Sequence, residues 1–216
     1  MKTRKSQKFV LAIFVLLSTV TISSTLQKEA PFYPELSLEI DSESEDQAKT
    51  KALIAIIKKG KDEWNNYRKA HADDNFGDLL KESDLSGMDF NKYNLSMINL
   101  KEANLKGANF SNANMSGINL EEANVEGAIF KNANLSNANM KELRILRCNL
   151  QEANLSGANL KEVTAEDSDF SESNLSGTIM SEATIKNCNF KGAISNSITS
   201  FPAGFDLKLE GIEIKD

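Results

Sequence analysis

Ala103-Asn104-Leu105-Lys106-Gly107-Ala108-Asn109-Phe110-Ser111-Asn112-Ala113-Asn114-Met115 repeats one pattern every five residues. A large apolar residue closes each unit, a small one stands two before it, and Asn usually lies between them. The register runs from Leu85 to Phe190 without a slip, so (190 − 85)/5 + 1 gives 22 units. A helical face would repeat at 3 and 4, a strand at 2. A second period of 20 overlies the first. Phe90, Phe110, Phe130, Phe170 and Phe190 form one series, with Leu150 in the gap. Ser96, Ser116, Ser136, Ser156 and Ser176 form another, and Glu82, Glu102, Glu122, Glu142, Glu162 and Glu182 a third. Five nested in twenty predicts an all-β solenoid with four sides, each coil burying its interior only against its neighbours.

Two residues per side then point inward, the large one and the small one two before it. Each inward Leu or Phe contributes roughly 1.5–3 kcal/mol by burial. The 22 units make 22/4 = 5.5 coils, a rod of about 26 Å at about 4.8 Å per coil. Gly87, Gly107, Gly117, Gly127, Gly157, Gly177 and Gly192 occupy the second corner position, where a type II turn needs positive φ. The Lys-Glu corners carry no Gly there and are expected to use a different turn. Cys148 and Cys188 share an inward column two coils apart, with Ser168 between. Their separation of about 9.6 Å exceeds the reach of a disulfide, so both are expected as free, buried thiols. Between Lys141 and Ala165 the pattern falters, since Leu143 and Val163 replace the small residue and Arg144-Ile145 replaces Asn-Leu. The wall is expected to bulge at Leu143 and Ile145.

Segments such as Ala103-Asn104-Leu105-Lys106-Gly107 and Ala158-Asn159-Leu160 resemble the pentapeptide-repeat family, whose consensus is Ala, Asp or Asn, Leu and two variable residues. The resemblance covers over half the chain and implies a right-handed quadrilateral β-helix. Trp64-Asn65-Asn66-Tyr67-Arg68 resembles the helical element that often precedes such arrays, and Phe201-Pro202-Ala203-Gly204-Phe205-Asp206 a tail that often ends them. Family members do many things, so the resemblance carries fold further than function.

Five segments follow. Residues 1–24 read as a signal peptide: Lys2, Arg4, Lys5 and Lys8 precede an apolar run from Phe9 to Ile22 that is shorter than a membrane span. An uncleaved membrane anchor is the alternative. Residues 25–46 read as an acidic disordered linker with Pro31 and Pro34. Residues 47–80 form a helical N-terminal cap, with Leu53, Ile56, Ile57, Trp64 and Tyr67 on one face and Gly60 bending or dividing the helix. Residues 81–195 are the β-helix, and residues 196–216 a C-terminal cap of extended structure or a dimer contact.

Composition narrows function. Without the signal the balance is 25 − 4 = 21 basic against 31 acidic residues, which argues against nonspecific nucleic-acid binding. The array from Ser83 to Ser195 holds 10 basic and 14 acidic residues. The topoisomerase-interacting DNA mimics of the family are more strongly acidic and cytoplasmic, so that reading is an alternative. A polysaccharide-active β-helix enzyme is another, but the unbroken register leaves no insertion to build a cleft. His71 is the only histidine. The Glu column invites a Ca²⁺ reading, but Lys81, Lys101, Lys141 and Lys161 adjoin it, and alternating surface charge accounts for it. No catalytic, cofactor or metal residues are assigned. The expectation is a non-catalytic extracytoplasmic scaffold or protein-interaction module with an unknown protein partner, as a monomer or a dimer through its C-terminal end. Arg144, Leu146, Arg147, Trp64 and Arg68 are its candidate interaction surface, with repeat decay as the competing account of the first three.

Overall fold

The computed structural model describes residues 44–72 and 76–215. The expected signal peptide, nearly all of the acidic linker, and Asp73 and Asp74 lie outside the described residues. The chain divides into two units, Met1–Ala55 and Ile56–Asp216. Ser44, in the first, starts helix α1 (Glu45–Lys58), whose last turn belongs to the second, through a reciprocal cap. The Gln47 N–H donates to Ser44 Oγ at 3.2 Å and the Ser44 N–H to Gln47 Oε1 at 2.9 Å. Glu45 and Asp46 fill the first turn, where the helix dipole favours anions. The helix therefore takes in the last two residues of the expected linker.

In the second unit, Gly60 divides the helical stretch. Its φ of 112° is one that L side chains rarely adopt, and helix α2 (Lys61–Ala70) begins immediately after it.

The solenoid follows from backbone pairing. Residues twenty apart form parallel bridges: Asp84↔Asn104, Asp89↔Asn109, Asn94↔Asn114, Asn99↔Asn119, and so on down the array. Four bridges per twenty residues define four sides. Each bridged residue sits between the two inward ones. Its N–H and its carbonyl both bond to the preceding coil, as in Asn114 N–H to Tyr93 O at 2.9 Å and Leu95 N–H to Asn114 O at 2.7 Å. Inside, the Leu, Phe and Ala positions are buried almost throughout. Phe90, Phe110 and Phe130 stack at 5.0 Å and within 6° of parallel. Leu150 interrupts the stack, Phe170 and Phe190 resume it at 4.9 Å, and Phe205 meets Phe190 edge-on at 5.5 Å. Outside, the amides form their own ladder: Asn114 donates to Asn94 at 3.2 Å, Asn134 to Asn114 at 3.3 Å, and Asn154 to Asn134 at 3.3 Å. The same Oδ1 atoms accept the N–H two residues on, which fixes the following corner.

Three expectations need correction. First, the Lys-Glu corners do not use a different turn. Glu82, Glu102, Glu122, Glu142, Glu162 and Glu182 have φ between 57° and 63°, close to 67° at Gly107. The second corner N–H must point along the axis to the next coil. Glu102 N–H reaches Glu121 O at 3.0 Å just as Gly107 N–H reaches Glu126 O at 2.9 Å. That bond holds a non-Gly residue in a conformation costing about 1–2 kcal/mol.

Second, the wall does not bulge at Leu143 and Ile145. Strands β1 (Arg144–Leu146), β2 (Thr164–Glu166) and β3 (Thr184–Lys186) form a parallel sheet in the same twenty-residue register. Leu143 and Ile145 are both fully buried. Ala165 pairs with Ile145 in the next coil, and Ala123 precedes Leu143 by one coil, so small residues in the neighbouring coils accompany the two large ones.

Third, the thiols differ. Both are free, but Cys148 is buried while Cys188 is partly exposed. Ser168 stands between them in the column with its hydroxyl set into the preceding corner. It accepts the Cys148 N–H at 3.0 Å and lies 2.9 Å from Ile145 O. In the coil before, Ala128 N–H reaches Val125 O directly at 2.9 Å.

The C-terminal segment leaves the register. Ile179 pairs with Ser200, twenty-one on, while β4 (Ile194–Ser195) pairs with β5 (Glu213–Ile214), nineteen on. Asn196 and Thr199 secure the extra residue, both accepting the Gly177 N–H at 2.9 Å.

Candidate functional site

The amide ladder of one side starts at Asp84, passes Asn104 at 3.0 Å, and reaches Asn124 at 3.4 Å. There Arg144 replaces the next Asn and ends it. The change leaves a depression of about 480 Å³ lined by Glu122, Ala123, Asn124, Glu126, Glu142, Arg144 and Leu146. Two coils build it. Glu122 and Glu142 stand at the corner on one side, Glu126 and Leu146 at the corner on the other. Asn124 forms the floor, its side-chain oxygen accepting the Glu126 N–H at 3.2 Å.

Each carboxylate here already has a cation. Glu122 pairs with Lys101 at 3.1 Å and Glu142 with Lys141 at 2.5 Å. Glu126 pairs with Lys106 at 3.1 Å and also with Arg147. The Lys106 hydrogen bond and charge, with Arg147 adding less, hold the Glu126 carboxyl below the usual carboxylate range. Arg144 is exposed and faces none of these carboxylates within salt-bridge distance. Leu146 is part-exposed beside it. Below the depression the outward row continues as Thr164 and Thr184 of the parallel sheet.

The five expected surface residues thus separate. Arg144 and Leu146 line the depression, and Arg147 flanks it, committed to Glu126. Trp64 and Arg68 lie on α2 against a different side. The Trp64 indole is fully buried and donates to Asn94 O at 2.7 Å, so it is withdrawn from the interaction surface. Its flat apolar ring is better satisfied against the coil than in water. Arg68 is half-buried: it donates to Ser96 O at 2.7 Å and lies 4.8 Å over the Phe76 ring. Burial lowers the affinity of its guanidinium for the proton. Of the three glutamates of the depression, Glu122 and Glu142 belong to the Glu column visible in the sequence, and Glu126 stands outside it.

The whole Glu column is ion-paired. Lys81 bridges Glu82 and Glu102, and Lys161 bridges Glu162 and Glu182. No group of three or more His, Cys, Asp or Glu that could hold a metal occurs among the described residues. Burial pushes the Cys148 thiol up to about 11, and Cys188 is raised for the same reason.

A family model described as pentapeptide repeats matches residues 79–117, 118–157 and 153–192, in eight copies. No curated protein matches the chain. Among solved structures, the chain is similar to HetL of the cyanobacterium Nostoc sp. strain PCC 7120, a pentapeptide repeat protein involved in heterocyst differentiation regulation. Identity is 24%, over 62% of this chain and 64% of HetL, with a TM-score of 0.40. It is also similar to Rfr23 of the cyanobacterium Cyanothece 51142, at 24% identity over 63% of this chain and 97% of that one, with a TM-score of 0.36. A third similarity is to QnrB1, a plasmid-mediated fluoroquinolone resistance protein, at 17% identity over 63% and 86%, with a TM-score of 0.34. The chain spans less than two thirds of HetL.

Proposed function

This chain belongs to the pentapeptide-repeat family, and from that premise we propose that it is a non-catalytic, extracytoplasmic scaffold that binds a protein partner through the side carrying Arg144. The observation that carries this reading is the depression where the amide ladder ends. It is a distinct surface on an otherwise repetitive coil, made by substitution within the register rather than by an inserted loop. In this reading the array makes about 5.5 coils as a right-handed quadrilateral β-helix, and helix α2 covers its first coil. The bonds from Trp64, Asn65 and Arg68 to Asn94, Lys92 and Ser96 support that covering role. The C-terminal end, where Ile198, Leu209 and Ile214 are exposed, is a candidate dimer contact.

The setting rests on the basic start and short apolar run of residues 1–24. No helix among the described residues is long and apolar enough to cross a membrane. Two measurements test the proposal. The first is cell fractionation with sequencing of the mature N-terminus. A start near Ser24 in an extracytoplasmic fraction supports it. A full-length cytoplasmic product overturns the setting and moves a topoisomerase to the front of the partners to assay. The second is a photo-crosslinking residue at Thr184, on the sheet beside the depression. A single partner identified by mass spectrometry, absent with the probe on the opposite side at Asn174, supports a dedicated face. Equal or absent capture at both positions contradicts it.

A further inference from the structure

We propose that the depression receives an isolated acidic side chain set among apolar residues on a partner protein. Its carboxylate would lie on the Arg144 guanidinium and its apolar neighbour on Leu146. This rests on the reading above that the side carrying Arg144 is an interaction face, and adds the chemistry of the partner.

The argument is one of charge and occupancy. Counted by residue type, the lining is acidic, with three glutamates and one arginine. Counted by what is already paired, Arg144 is the charge of the lining left open, with Lys101 shared between Glu122 and Glu121. Lys101, Lys141, Lys106 and Arg147 occupy the three carboxylates. Arg144 is exposed and has no counter-ion among the described residues. The floor does not compete for a ligand, because Asn124 already uses its amide on Asn104 and on the Glu126 N–H. A planar guanidinium offers two parallel donors to a carboxylate, which favours Asp or Glu over a neutral acceptor. Leu146, part-exposed on the same strand, supplies apolar contact next to that charge. The flanking glutamates set the limit on acidity. A segment with several adjacent carboxylates would bring like charges against Glu122 and Glu142, so a single acid between apolar residues fits better than an acidic run.

The test uses the full chain, isotopically labelled, titrated with the N-acetylated, C-amidated peptide Gly-Leu-Glu-Leu-Gly while amide resonances are followed by NMR. Saturable shifts are expected at Asn124, Arg144, Leu146 and Thr164. The Gln-for-Glu peptide should bind about tenfold more weakly, and Arg144→Gln should remove the difference between the two peptides. Raising salt should weaken the Glu peptide and leave the Gln peptide nearly unchanged. Equal binding of both peptides to the unsubstituted chain, or shifts confined to another side, overturns the proposal. The crosslinking probe at Thr184 separates the two levels. Capture of the same partner by Arg144→Gln as by the unsubstituted chain keeps the interaction face and rejects the carboxylate. Loss of capture in Arg144→Gln with retention in Arg144→Lys supports both. No capture by any of the three proteins removes the face itself.

Discussion

Ser168 shows how a single residue can reset a corner. Its hydroxyl stands where a direct turn bond would lie, between the Cys148 N–H and the Ile145 carbonyl. Ser168→Ala leaves the buried Cys148 N–H without its partner, and should cost about 1–3 kcal/mol in chemical denaturation. Ser168→Cys should cost clearly less, since Cys148 occupies the equivalent position one coil earlier and bonds to Val125 O at 3.0 Å. The two thiols offer a second check at this scale. Burial holds Cys148 protonated at neutral pH, with its ionisation pushed up to about 11, and a thiol rather than a thiolate is a poor nucleophile. Cys188 is partly exposed. Under native conditions a thiol reagent should modify Cys188 first and Cys148 only as the chain unfolds. Simultaneous labelling would contradict the assigned burial. The column position of Cys188 was legible in the sequence. Its exposure was not, because the C-terminal segment that would cover it leaves the twenty-residue register.

At the scale of the element, the unit of stability is the corner. Every corner needs a left-handed second residue so that its N–H meets the next coil, and glycine reaches that conformation without strain. Gly157 has φ +68°, and a Cβ there would lie 2.5 Å from Asn137 Oδ1. Gly157→Ala should therefore cost about 1–2 kcal/mol. The reverse change should help at Glu172, which holds φ 58° and enters no salt bridge among the described residues. Glu172→Gly should raise stability by about 0.5–1 kcal/mol, read as a shift in the denaturation midpoint. A loss there would mean that the coil tolerates left-handed glutamate without strain. Sequence reasoning placed the corners but assigned the glutamate ones a different turn. Residue preference suggested glycine only, whereas the bond to the neighbouring coil decides the conformation.

For the whole molecule, the period of five within twenty carried the fold, because a coil with four sides is the arrangement that stacks residues twenty apart. The Phe columns, the amide ladders and the Lys-Glu pairing all follow from that stacking. The candidate site was half legible. Arg144 and Leu146 were visible as departures from the repeat. That Lys101, Lys106 and Arg147 pair with Glu122 and Glu126 across coils, leaving Arg144 as the open charge, depends on side-chain reach and could not be read from spacing. Trp64 shows the converse: an aromatic residue before the array looked available for a partner and is consumed by the array itself.

The stacking of residues twenty apart supports every face described, and paired cysteines test it directly. In a Cys148→Ala, Cys188→Ser background, Arg144→Cys is combined with Thr164→Cys, its parallel partner one coil on. Paired positions on adjacent coils lie about 4.8 Å apart, within disulfide reach. Oxidation should give an intramolecular disulfide for that pair and none when Arg144→Cys is combined with Asp169→Cys, one side further round the coil. A disulfide in the second pair and not in the first would contradict the register and the faces built on it.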